Sequence, residues 1–501
     1  MALSLQKGKI VNRVNVRYRT ESSMRYLRYF TTILIAFVAF TYFEHRGYAK
    51  QTSQVTVKHV KKKGIEIHLP GPLETVFRIR SSVFARPEYK FNLKDFSSKL
   101  DDSDVYVATR FRISLEAEIQ KQVGFVLTIQ DARFWGNGLR SGGDIRFDPD
   151  ETNQFHREVY LGTTFFEGYL FLERPGRLPL RFEIGRIGAT HAHGFILGDP
   201  GYIPQGQSFD GMRLFLYGPN RMKTELYWFK IRESVELTDT ATCQDGCLFE
   251  GDDLAGVRHH FQFGKSFKLG ISAHYLQRAP RTGKPLVNSQ IGMIGLDYTL
   301  KTASIRSIFE GYVQFGTHED KSLFAFGGFA SVAYTLPAPL KPYIGIFLVA
   351  ASGDTGTQAD SSMTFVPVYG KRRKFSNITN MFAPSNIIAP SLFVGIRPTK
   401  TTSVQINVAY NFRWADGGVL QGGGNYAPIF KDTTETHEQF LGMEIDGAFK
   451  WKVAKFVTFD IGVGAFLPST GDVFTVLASQ KSETFGTDVA MMMFSRIWLK
   501  I

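Results

Sequence analysis

Between Ser403 and Trp414 every second side chain is apolar: Val404, Ile406, Val408, Tyr410, Phe412 and Trp414 alternate with Ser403, Gln405, Asn407, Ala409, Asn411 and Arg413. A two-residue stride is the geometry of a β-strand, whose side chains point alternately to opposite faces. One apolar face and one mostly polar face suit a sheet that separates hydrocarbon from water. The stride returns in Val105 to Ile119, in Leu441 to Trp451 and in Val457 to Ala465. Such runs reach the roughly 9 to 11 residues that cross a bilayer, whereas the strands of a soluble sandwich are usually about 5 to 6 residues long.

The predicted fold class is therefore all-β: a transmembrane antiparallel β-barrel of about eighteen strands, with short periplasmic turns and long external loops. The first strand is placed at 73–83 and the fourth at 156–170. Links such as Gln120 with Lys121, Pro219 with Asn220, and Val453 are tight. They alternate with long ones at 84–104, 135–155, 188–207, 233–254, 278–289, 352–389, 415–437 and 468–486. Only 317–321 is shorter than its place in that pattern predicts. The longest link, 352–389, carries the basic cluster Lys371 to Lys374, and it has two options: to fold into the pore or to lie in solvent.

Near the start, Phe30 to Phe43 is apolar apart from three threonines, follows Arg25 and Arg28, and precedes the small residues Gly47 and Ala49. That run is too short for a spanning helix and has the layout of a secretory signal peptide. The expected organisation is an N-terminal extension and signal peptide over 1–49, a periplasmic segment over 50–72, and the barrel over 73–501. Met24 is the more usual start for such a signal. Residues 1–49 hold eight Lys or Arg against two Asp or Glu, so the rest of the chain carries +7 of the total +13. An exported basic chain meets anionic solutes and anionic lipid rather than nucleic acid.

Cys243 and Cys247 are the only cysteines, and in an oxidising compartment they are candidates for a local disulfide. No metal site is expected, because the nearest histidines, His259 and His260, are adjacent in a predicted strand and point to opposite faces. No cofactor is expected either.

Projected inward, the polar face carries Arg78, Arg80, Arg110, Arg112, Arg181, Arg258, Lys268, Arg306, Arg397, Arg413, Lys450, Lys452 and Arg496. Its acidic residues are Glu116, Glu118, Glu183, Glu310, Glu444, Asp446 and Asp460. An excess of thirteen over seven favours anions in the lumen, less whatever fraction pairs across neighbouring strands.

Several stretches resemble the alginate export family of outer-membrane barrels: Asp131, Arg133, Trp135 and Gly136; Gly185 and Arg186; Phe209, Asp210 and Arg213; Glu310 to Gly316; and Ser352 to Asp354. The resemblance implies eighteen strands and a basic lumen that passes an anionic uronate polymer. It also implies Arg133, Arg186 and Arg213 as pore-lining residues, with Asp131 and Asp210 as their partners. The chain departs from the family pattern at Ile187, where glutamine is frequent, and at Thr190 to His193 in the following link.

The leading expectation is an outer-membrane channel for anionic solutes, with export of an anionic polysaccharide such as alginate as its specific form. Its partners are then membrane lipid, an anionic polysaccharide or small anionic solute, and periplasmic export proteins if the cargo is a polymer. Two other functions compete. An outer-membrane enzyme would use His191 and His193, which an extended segment places on one side, although no nucleophile motif accompanies them and no catalytic residue is assigned. An adhesin or receptor would use the external loops, above all 355–385.

Overall fold

The computed structural model describes residues 56–60, 64–71, 73–93, 96, 103–136, 162–233, 251–278, 289–355, 358, 360–375, 377–416, 420, 438–470 and 487–500. The signal-peptide reading of 1–49 and the Cys243 and Cys247 disulfide lie outside these residues.

The strands are β1 (Thr56–Val60), β2 (Gly64–Leu69), β3 (Thr75–Phe91), β4 (Asp104–Ile119), β5 (Val123–Trp135), β6 (Gly162–Glu173), β7 (Leu180–Ile187), β8 (Phe209–Tyr217), β9 (Lys223–Glu233) and β10 (Gly251–Phe263). They continue as β11 (Phe267–Arg278), β12 (Ser289–Lys301), β13 (Ile305–His318), β14 (Lys321–Thr335), β15 (Tyr343–Ala351), β16 (Ser361–Ser362), β17 (Ile387–Ile396), β18 (Thr402–Arg413), β19 (Phe440–Trp451), β20 (Val457–Pro468) and β21 (Ala490–Lys500). Strands β3 to β15 and β17 to β21 form an antiparallel barrel of 18 strands, closed where β21 pairs with β3. Closure leaves no edge strand and satisfies the backbone within the wall, which a hydrocarbon surround requires.

The outer face is the apolar one. Ile294, Ile346 and Ile406 are 56%, 61% and 52% exposed, whereas Arg413 on the opposite face of β18 is 1% exposed. Water would penalise such a surface, and lipid does not. The connections alternate in length as expected. The one tight link at the long-loop end, Glu319 with Asp320, joins the directly paired His318 and Lys321 with positive φ at both central residues, the geometry of a type I′ hairpin.

Two differences from the expected strands have local causes. The first barrel strand runs on to Phe91, because Phe84, Arg86, Glu88 and Lys90 keep the inward stride. Pro87, which reads as a breaker, pairs with Val107 on β4 while the ladder to β21 lapses beside it, so its missing N–H costs little. In addition, β1 and β2 form a hairpin whose β2 pairs with Thr75 to Ile79 of β3, beyond the point where β21 ends opposite Ser82.

Packed core sits inside the cylinder. The link between β7 and β8 and the link between β15 and β17 both fold inward, so the second is not an external loop. Phe195, Ile196 and Leu197 from the first, with Phe365, Phe375 and Phe382 from the second, are buried against wall residues such as Leu276, Ile291 and Phe329. The two links join through a parallel bridge of Leu197 with Tyr369 and through hydrogen bonds from Tyr369 N to Ile196 O (2.7 Å) and from Gly198 N to Tyr369 O (3.0 Å). A side chain at Gly370 would collide with the Phe195 carbonyl, so glycine is needed for this approach.

Candidate functional site

The inward links are held by the wall, and its carboxylates do much of the holding. Glu310 on β13 accepts hydrogen bonds from the backbone N–H of His193 (2.7 Å) and Phe195 (3.1 Å) and from the Tyr312 hydroxyl (2.9 Å). On β19, Glu444 accepts from Thr379 N (2.7 Å) and Asp446 from Ile378 N (3.3 Å). Side-chain donors of the wall add to this: Arg278 donates to the Pro367 carbonyl at 3.1 Å, and Gln130 donates to that of Gln205 at 2.7 Å.

Several other carboxylates of the inward face are matched to wall arginines on the same strand or on a strand one or two away. Arg78 meets Glu66, Glu116 and Glu118; Arg181 and Arg213 share Glu183; Arg258 meets Asp297; and Arg496 meets Asp460 at 2.9 Å. Arg306, Arg397, Lys268 and Lys450, by contrast, have no ion pair among the described residues. All four lie toward the short-turn end of the barrel.

Beneath the inward links a cavity of about 470 Å3 opens in that half of the lumen. Arg306, Arg397 and Lys374 bring three cations to it, Gln405 and Asn407 bring amides, and Asp446 brings a carboxylate already bound to the Ile378 amide. Arg397 lies 4.3 Å from the centre of the Tyr343 ring. Lys374 donates from Nζ to the His193 carbonyl at 2.8 Å and so ties the two links together. Burial lowers the Lys374 pKa to about 8; Glu310 opposes that shift, while Lys371 and Arg306 reinforce it. Burial also lowers the pKa of His193, opposed by its hydrogen bond to the Tyr298 carbonyl.

The residues singled out in the sequence divide into three groups. Arg110, Arg112, Arg181, Arg213, Arg397 and Arg413 point inward. Of these, Arg110 is wedged 4.8 Å from the centre of the Phe84 ring and 5.7 Å from that of Trp498, Arg112 meets Asp199 at 3.2 Å, and Arg413 is buried. Arg133, Asp131, Arg186 and Asp210 do not line the lumen and form the second group. Arg133 and Asp131 share the parity of Ile129 and pair with the outward Thr109 and Phe111, and Arg186 shares the parity of Ile184 as Asp210 does that of Met212. They are outer-face ion pairs at the long-loop ends of their strands, Arg133 with Asp131 at 2.8 Å and Arg186 with Asp210 at 2.8 Å. The third group is the histidine pair. Ala192 has φ +46°, so His191-x-His193 is a turn and not an extended pair, and the rings diverge: His191 faces Glu225 (3.2 Å) while His193 meets the Tyr298 carbonyl (3.1 Å).

Glu310, Glu444 and Asp446 were legible as inward residues, but nothing in the stride marks them as tethers. Lys374 was visible only as part of a basic cluster.

A closed cylinder with an apolar exterior, inward-folded links and a charged lumen defines an outer-membrane channel. The alginate export family model matches residues 85–487, and the chain belongs to that family. No curated protein matches the chain in sequence. Among solved structures, Acinetobacter baumannii OccAB4 is similar at TM-score 0.50 and 10% identity, covering 84% of this chain and 98% of that one. Pseudomonas aeruginosa OpdK with vanillate is similar at TM-score 0.51 and 11% identity, covering 84% and 98%. Pseudomonas aeruginosa OccK3 (OpdO) is similar at TM-score 0.51 and 9% identity, covering 84% and 95%. At these identities the likeness is one of fold.

Proposed function

We propose that this channel passes anionic solutes, with an alginate-like polyuronate or its smaller uronate units as cargo, and that it works as a passive conduit without enzymatic chemistry. One observation carries the reading. The acidic residues of the inward face are engaged by wall arginines or by the backbone of the inward links, whereas Arg306, Arg397 and Lys374 face the cavity without an ion pair among the described residues. Fixed charge of one sign in a confined lumen raises the local concentration of the opposite ion.

The enzyme reading loses its support, because His191 and His193 are buried or half-buried, diverge, and hold structure. A receptor on 355–385 fares no better, since Phe365, Val368, Phe375 and Phe382 from that link are buried inside the barrel.

Swelling of liposomes carrying the protein tests the proposal. Glucuronate and mannuronate should enter faster than glucose of similar size. Equal rates, or faster entry of the neutral sugar, would refute it.

A further inference from the structure

Three aromatic residues of the cavity stand directly opposite glycines on the neighbouring strand. Tyr343 pairs with Gly395 and Phe393 with Gly345 across β15 and β17, and Phe494 pairs with Gly462 across β21 and β20. In each case a Cβ built on the glycine would overlap the aromatic ring opposite. The rings have therefore fallen back across the strand onto bare glycine backbone instead of projecting into the lumen, an arrangement known to shield sheet glycines. This keeps the cavity open and leaves the partly exposed rings of Phe393 and Phe494 along its wall, while Tyr343 is buried beneath Arg397. The same cavity holds Arg306, Arg397 and Lys374, and Arg397 already lies over Tyr343.

We propose that the cavity is a binding site for a ring carboxylate: the apolar face of a six-membered ring packs on Phe393 and Phe494 while its carboxylate pairs with Arg306 and with Arg397, which Tyr343 backs. The inference rests on the anion-channel reading and adds to it a requirement for a ring, which charge alone does not impose. The volume of about 470 Å3 is in the range of small-molecule sites. Guanidinium groups suit a carboxylate because their planar fork can engage both oxygens. Two kinds of molecule share this chemistry: a uronate residue, whose pyranose has an apolar face, and an aromatic acid.

The test uses the full-length processed protein in planar bilayers, with chloride current blocked by added acetate, benzoate, glucuronate or glucose. Benzoate or glucuronate should block at a concentration about five- to tenfold below that of acetate, a factor in keeping with one packed ring, and glucose should not block. Whichever of the two ring acids blocks better identifies the source of the ligand. Phe393→Leu and Phe494→Leu, which keep apolar bulk and so preserve the fold, should erase the advantage of the ring while preference for chloride over potassium stays. Gly462→Ala, which pushes the Phe494 ring off the wall, should weaken block by the ring acids in the same way. If acetate blocks as well as benzoate and glucuronate, or if both leucine variants keep the ring preference, the site is not a ring site, even with anion preference intact. Loss of anion preference in the unaltered protein would instead refute the underlying channel reading.

Discussion

Gln314 of the barrel wall and Val366 of the long inward link exchange two hydrogen bonds, with Nε2 donating to the Val366 carbonyl and Oε1 accepting from its N–H, each at 2.9 Å. The pair is buried and joins residues 52 positions apart, so it fixes the depth to which the link enters the lumen.

Gln314→Leu removes both bonds at nearly constant volume and leaves two backbone groups of Val366 unpaired. Each such group costs about 1–3 kcal/mol. The link should loosen where it is stapled, and single-channel conductance should rise and become noisier. An unchanged, quiet conductance would mean that the staple does not hold the constriction.

Lys374 is the titrating cation of the cavity, with its pKa lowered by burial to about 8. Anion preference should therefore decline between about pH 7 and about pH 9 as one of three positive charges is lost. Lys374→Gln should show the lower preference already at neutral pH and no decline across that window. The sign for stability is opposite. The folded value lies below the ordinary lysine value of 10.5, so burying the charge costs stability below about pH 8, and that cost is relieved as pH rises toward 10.5. Reversal potentials measured across the range separate this from a general loss of channel integrity.

Arg133→Gln and Arg186→Gln should leave ion selectivity as it is, because both side chains stand on the lipid-side face. Arg397→Gln and Arg306→Gln should each reduce it. A selectivity change in the first pair comparable to that in the second would contradict the assignment of faces.

How much of this was legible in the chain depends on the distance over which the cause acts. The stride from Ser403 to Trp414 became β18 (Thr402–Arg413) with Gln405, Asn407 and Arg413 inward, because alternation is local and hydrocarbon enforces it on every second residue. The same rule excludes Arg186 from the lumen: Arg181 and Glu183 point in, so a residue of even number on β7 points out. Family likeness placed Arg186 inside, and the stride overrules it. For Arg133 the stride was weaker, since the inward face of β5 carries Val126, Ala132 and Phe134 and contrasts little with the outer face. The clamp of Glu310 on His193 was beyond reach, because it joins residues 117 positions apart and depends on a link folding inward, which no periodicity encodes. Lys374 acquires its role by the same fold.

The zero-current potential across a bilayer holding the protein in a potassium chloride gradient at neutral pH tests the central claim most directly. The unaltered channel should show the sign of chloride preference, and a variant combining Arg306→Gln, Lys374→Gln and Arg397→Gln should lose most of it while still conducting. Potassium preference in the unaltered channel, or a triple variant as anion-selective as its parent, would contradict the account.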